Sequence, residues 1–117
     1  MENNIRGFHA HVYYENDETR EIAAKIRAYV EQNFAVIMGS WRDEPVGPHP
    51  RPMFQIAFQP ALFEQVVPWL MLNREGLSIL VHTETGNHVA DHRDFPLWLG
   101  EKLQLDIGFF ETGNASA

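Results

Sequence analysis

Between Phe8 and Tyr14 the chain alternates Phe8, Ala10 and Val12 with His9, His11 and Tyr13, the two-residue period of a strand with unlike faces. Asn16 and Asp17 can cap a helix that carries Glu18 and Glu21 near its positive end and sets Ile22, Ile26, Tyr29 and Val30 on one side, ending near Asn33. Val36 to Trp41 reads as a second strand, and a stiff loop from Asp43 to Pro52 follows it, with Pro45, Pro48, Pro50 and Pro52. Met53 to Phe58 alternates again as a third strand. Pro60 suits the first turn of a second helix, lined by Leu62, Phe63, Val66, Val67 and Leu70, disturbed at Pro68 and stopped by Gly76. Leu77 to Thr83 is rich in branched aliphatics and predicts a fourth strand. Beyond it the pattern predicts a polar loop with His88, Asp91 and His92, a helical turn at Phe95 to Leu99 capped by Asp94, and a short strand through Leu105, Ile107 and Phe109. The tail from Glu111 to Ala117 is expected to be disordered.

The order β-α-β-β-α-β is the split pattern of ferredoxin-like α+β domains, here one domain over residues 1–110 with extra structure at its C-terminus. In that topology the first and fourth strands are antiparallel neighbours, so His9 and His11 should approach His82. If Phe8, Ala10, Val12, Phe54, Ile56 and Phe58 pack under the helices, then His9, His11, Tyr13 and Gln55 point from the opposite face. An open face of that kind needs covering, which predicts a homodimer or a roof made by the C-terminal segment.

Composition narrows the chemistry. The 117 residues suffice for a core without covalent staples, and 44% hydrophobic with 21% charged residues is the balance of a folded globule. A formal charge of −7 disfavours nucleic acid as a partner. The absence of cysteine removes disulfides, thiolate nucleophiles and sulfur-held metals, so any metal must sit on His, Asp or Glu. No apolar run long enough for a membrane span and no leader pattern is visible, which makes the cytoplasm the expected compartment and a membrane partner unexpected. Gly39 and Gly47 lack the companions of a phosphate loop, and Ser40 and Ser78 lack a nucleophile elbow.

All six histidines fall at strand ends and adjoining loops. His9 and His11 on one strand face lie about 6.5–7 Å apart, close enough to converge on one ion, and His82 joins them by strand pairing. These three are the expected metal ligands, against the plainer reading of surface or interface histidines. His49, stiffened by Pro48 and Pro50, is a candidate ligand or proton-transfer group, and His88, Asp91 and His92 are candidates for orientation, acid–base work or metal binding. Glu84 is placed to complete a site of two histidines and one carboxylate, a set suited to Fe(II), with zinc as a substitute. Tyr13, Trp41 and Trp98 are candidate walls of an aromatic pocket, and Arg42 and Arg51 candidate partners of a substrate carboxylate.

The segments FHAHVYY, VGPHPRP, LSILVHTETG and NHVADHRDFPLWLG, in this order and each holding a histidine, resemble the DOPA 4,5-dioxygenase family of the fungal and bacterial type, over about Ile5 to Phe110. The resemblance implies a ferredoxin-like fold and extradiol cleavage of a catechol ring such as that of 3,4-dihydroxyphenylalanine, with non-haem iron and O2. It implies that His9, His11, His49, His82, His88 and His92, with Asp91, make the site, His49 or His92 being expected to move protons. Thr83 departs from the proline expected after the strand histidine. Two other readings compete: a noncatalytic metal- or small-molecule-binding dimer, and a cofactor-free monooxygenase-like dimer of the same fold.

Overall fold

Asn16 opens the first helix with a reciprocal cap, its side chain accepting from the Thr19 backbone N–H at 2.9 Å while the Thr19 hydroxyl oxygen accepts from the Asn16 N–H at 3.0 Å. This helix, α1 (Asp17–Asn33), follows strand β1 (Gly7–Tyr13) directly. The structure, a computed structural model, describes residues 3–111. After α1 come β2 (Ile37–Met38), β3 (Met53–Phe58), a 3-10 turn at Pro60–Leu62, α2 (Phe63–Asn73) with Pro68 inside it, β4 (Ile79–Glu84), α3 (His88–Arg93), β5 (Pro96–Leu99) and α4 (Gly108–Glu111).

The sheet runs β2-β3-β1-β4-β5 with every neighbouring pair antiparallel, the ferredoxin-like arrangement plus one added strand. Strand parity holds as expected. Ala10 and Val12 of β1, Phe54 and Ile56 of β3, and Ile79 and Val81 of β4 pack with Ile26 and Val30 of α1 and Val66 and Leu70 of α2. Each of these side chains larger than alanine contributes about 1.5–3 kcal/mol by leaving water. The other face carries a second, smaller cluster of Tyr13, Met53 and Leu80 under Leu103 and Leu105. The C-terminal segment therefore roofs that end of the face, one of the two coverings expected, and it is tied down by the Asp106 N–H donating to the Pro48 carbonyl at 2.9 Å.

The chain beyond β4 departs from its pattern. His88, Asp91 and His92 lie on helix α3 and not in a loop, because Asn87 caps it by accepting from the Ala90 N–H at 3.0 Å. Phe95 to Leu99 does not form a helical turn. Asp94 ends α3, its N–H donating to the Ala90 carbonyl at 2.8 Å, and Pro96 to Leu99 pairs with β4, whose open edge offers ladder hydrogen bonds that a lone turn cannot match. Pro96 stands first in this outer strand, where its missing N–H costs little. With that edge taken, Leu105 to Phe109 makes no strand: Leu103 and Leu105 pack as an irregular roof and the chain turns into α4. The second strand is shorter than Val36 to Trp41, continuing only as the Gly39 N–H to Gln55 carbonyl bond and an isolated Arg42–Met53 bridge. Glu111 belongs to α4, and the rest of the expected tail lies outside the described residues. Among the described residues no helix is long and apolar enough to cross a membrane.

Candidate metal centre

The polar centre of the sheet is built by register. His9 on β1 lies directly opposite His82 on β4, and His11 lies two residues further along the same face. The ring centroids of His9 and His82 are 5.2 Å apart, and those of His11 and His82 are 5.1 Å apart with nearly parallel planes. His49 enters from the proline-rich loop. Gly47, at φ 59°, takes a left-handed conformation that lets the loop turn, the His49 N–H donates to the Val46 carbonyl at 3.0 Å, and the imidazole arrives 4.1 Å from that of His11. His92 comes from α3, its ring 4.0 Å from that of His82. His11, His49, His82 and His92 are each at most 3% exposed.

Two sets of side chains bring one nitrogen each to within 4.8 Å of one another, namely His9, His11 and His82, and His11, His49 and His92. The first is the set expected from strand pairing. The second joins a loop histidine and a helix histidine to the same His11. His88 stands outside both sets, its ring stacked on Phe110 and its carbonyl accepting from His92. Glu84, expected to complete a ligand set, sits instead on the other side of the rings, 3.1 Å from His9 Nδ1 and 3.6 Å from His82 Nδ1.

Hydrogen bonds fix the tautomers. A carbonyl only accepts, so His82 Nδ1–H donates to the Thr83 carbonyl at 2.8 Å, which leaves the lone pair on Nε2. His11 Nε2–H must then donate to His82 Nε2 at 3.1 Å, leaving His11 Nδ1 bare. His92 Nδ1–H donates to the His88 carbonyl at 2.7 Å, leaving its Nε2 bare. His49 Nδ1 meets the Tyr13 hydroxyl at 2.7 Å. His11 Nδ1, His49 Nε2 and His92 Nε2 are buried without a hydrogen-bond partner. Each such atom costs on the order of 1–3 kcal/mol unless something meets it. The three residues concerned are the members of the second convergent set, and imidazole nitrogens suit iron, zinc and copper, so these residues fit a divalent transition metal.

Burial also keeps the rings neutral, as ligands must be. It pushes His82 down to about 2 and His49 to about 3, and the repulsion either would feel from a protonated His92 adds to both. His9 falls to about 4 for the same two reasons, opposed by Asp91, while His11 lies well below its usual value through burial and its imidazole neighbours. Glu84 is raised, first by burial and then by the Asp91 charge.

Asp91 is fully buried, and its oxygens are occupied by the Thr83 hydroxyl at 2.8 Å, the Thr85 hydroxyl at 2.7 Å and the Thr85 N–H at 3.0 Å. Of the aromatic candidates, Tyr13 and Trp98 stack on the histidine face at 6.1 Å, whereas Trp41 packs against Tyr14 and Phe54 on the helix side. Arg51 is paired with Glu15 at 2.7 Å and Glu101 at 3.4 Å. Cavities open at both ends of the cluster: about 180 Å³ beside His92, bordered by Trp98, Lys102 and Leu103, and about 280 Å³ beside His9 and Glu84, bordered by Arg6, Phe8 and Phe58.

The family model for the Dopa 4,5-dioxygenase family matches residues 8–109, a stretch that contains the whole histidine cluster. The chain belongs to this family. Among curated relatives, the family member is 35% identical over 120 residues to an uncharacterized 21.2 kDa protein of Botryotinia fuckeliana, covering 92% of this chain and 65% of that one. It is 29% identical over 119 residues to the DOPA 4,5-dioxygenase of Amanita muscaria, covering 92% of this chain and 50% of that enzyme. The chain thus spans between half and two thirds of the length of these relatives. A crystal structure of a candidate dioxygenase from Nostoc punctiforme is 51% identical and superposes with a TM-score of 0.93, covering 97% of this chain and all of the other.

Proposed function

We propose that this Dopa 4,5-dioxygenase family member is an extradiol dioxygenase that opens a catechol ring with O2 and a ferrous ion held by the histidine cluster. The observation that carries the reading is that the three imidazoles that converge from β1, the proline-rich loop and α3 each keep one buried nitrogen without a hydrogen-bond partner. Strand pairing alone favoured His9, His11 and His82; the unpartnered atoms favour His11, His49 and His92 as the residues that hold the ion. Bound Fe(II) would supply the redox step that a spin-paired catechol and triplet dioxygen lack by themselves.

The remaining groups are suited to handling substrate and protons. His9 donates from Nδ1 to Glu84, which leaves the lone pair on its Nε2, and as a neutral imidazole it is ready to take a proton from a catechol hydroxyl. His82 continues the path, its Nε2 accepting from His11. Tyr13 steadies His49 from behind. The cavity beside His92 offers Trp98 as a flat wall for an aromatic ring, with Leu103 and Leu105 as apolar neighbours. Substrate identity within the dihydroxyphenyl class, Fe(II) in preference to zinc, and pairing of the protein as a homodimer are parts of the same proposal.

Oxygen uptake is the direct test. Protein loaded with Fe(II) under anaerobic conditions, mixed with 3,4-dihydroxyphenylalanine or a simpler catechol and then exposed to air, is expected to consume oxygen and turn yellow as the ring-opened semialdehyde forms. Metal-free protein should do neither. Equal uptake by metal-free protein would favour the cofactor-free monooxygenase reading, and no uptake with any catechol would favour a binding protein.

A further inference from the structure

The ligand set proposed above is made only of neutral imidazoles, since an imidazole holds a metal through a lone pair. A divalent ion seated there brings two positive charges into the protein interior with no anionic ligand to offset them, a costly arrangement. The structure also contains the opposite imbalance. Asp91 has no accessible surface, its three hydrogen-bond donors are all neutral, and no Lys or Arg pairs with it among the described residues. It directly precedes His92 in α3, and its charge is felt at both His92 and His9. A buried anion without a cation and a neutral cage suited to a cation thus lie side by side. Asp91 makes no hydrogen bond to a histidine ring among the described residues, so what it can give the cage is charge, together with the anchoring of α3 to the end of β4 through Thr83 and Thr85.

We infer that Asp91 is a positioning residue that supplies the counter-charge for a divalent ion in the histidine cage, acting through space and not as a ligand. This inference rests on the metal-centre reading and deepens it. Glu84, half-buried against His9, adds a second negative charge at the other end, which brings the site near neutrality when a divalent ion is bound.

The hydrogen bonding makes a clean experiment available. In Asp91→Asn the amide oxygen can keep the Thr85 N–H, while the amide nitrogen occupies the place of the oxygen shared by the two threonine hydroxyls, which can rotate to accept from it. The substitution therefore removes charge and retains the bonds. Metal affinity is measured by chelator competition with Zn(II) and, under anaerobic conditions, with Cu(I), for wild type, Asp91→Asn and Thr83→Val. Asp91→Asn is expected to weaken Zn(II) binding by roughly 10- to 100-fold. Its effect on Cu(I) should be about half as large on a logarithmic scale, because a through-space charge interaction scales with the ion's charge. Thr83→Val, which keeps the charge, should bind both ions with near wild-type affinity. If the asparagine variant does not fold, Asp91→Ser is the second neutral variant and should show the same split between the two ions. Equal affinity of wild type and a folded neutral variant, or an equal loss for both ions, would overturn the inference alone. Absence of Zn(II) binding by the wild type would overturn it together with the metal-centre reading.

Discussion

His11→Ala is expected to leave the purified protein without bound metal. His11 is common to both convergent sets, is fully buried in the middle of the central strand, and is flanked by imidazoles from β4, the proline-rich loop and α3. A close-packed sheet cannot move a neighbour into the gap. The loss should therefore exceed the ~10- to 100-fold typical when a group that merely supports a ligand is removed. Metal content after Fe(II) or Zn(II) loading and desalting reads this directly, and His49→Ala and His9→Ala separate the two sets. If the ion sits on His11, His49 and His92, then His49→Ala empties with His11→Ala, while His9→Ala keeps its metal and loses turnover. Wild-type metal content in His11→Ala would remove the cluster as the centre.

Acid should unfold the metal-free protein early. In the unfolded chain each histidine titrates near its usual value of 6.5, whereas in the fold burial holds His49 to about 3 and His82 to about 2. Below the unfolded value the unfolded chain takes up protons that the native state refuses, so unfolding becomes more favourable as pH falls and stability is lost from about pH 6.5 downward. Each histidine held neutral contributes a slope of about 1.4 kcal/mol per pH unit in that window. Two such groups alone remove several kcal/mol by roughly pH 5, a large share of the stability of a small domain. Melting temperature recorded from pH 7.5 to 4.5 should fall steeply on the acid side, and His82→Gln should flatten the slope. A melting temperature independent of pH across that range would show that these rings are not kept neutral by the fold.

Both predictions depend on features with different histories in the sequence. The convergence of His9, His11 and His82 was legible because alternation assigns a face and topology assigns a neighbour, and both are properties of long, regular elements. His49 and His92 were visible as candidates but not as members of one set with His11. His49 is delivered by a loop whose path depends on Gly47 and on Asp106 holding Pro48, a contact made across 58 residues of chain. His92 is aimed by a six-residue helix whose signal, the Asn87 cap, is easily lost in a run of polar residues. The elements whose type was misread all lie beyond β4, where elements of four to six residues take their form from the edge they meet and not from local preference. Asp91 illustrates a further limit: its type and position were noted, but only the Thr83 and Thr85 donors show that both its oxygens are already taken.

The central claim is that the histidine cluster supports cleavage of a catechol ring by both atoms of dioxygen. Its most direct test is mass spectrometry of the yellow product formed by the Fe(II)-loaded protein under 18O2. Extradiol cleavage breaks the carbon–carbon bond beside the diol and places one oxygen atom in the new aldehyde and one in the new carboxylate. The account predicts a product four mass units heavier than that formed in 16O2, provided it is trapped before the aldehyde exchanges with water. A product carrying one labelled atom, or none, would contradict it.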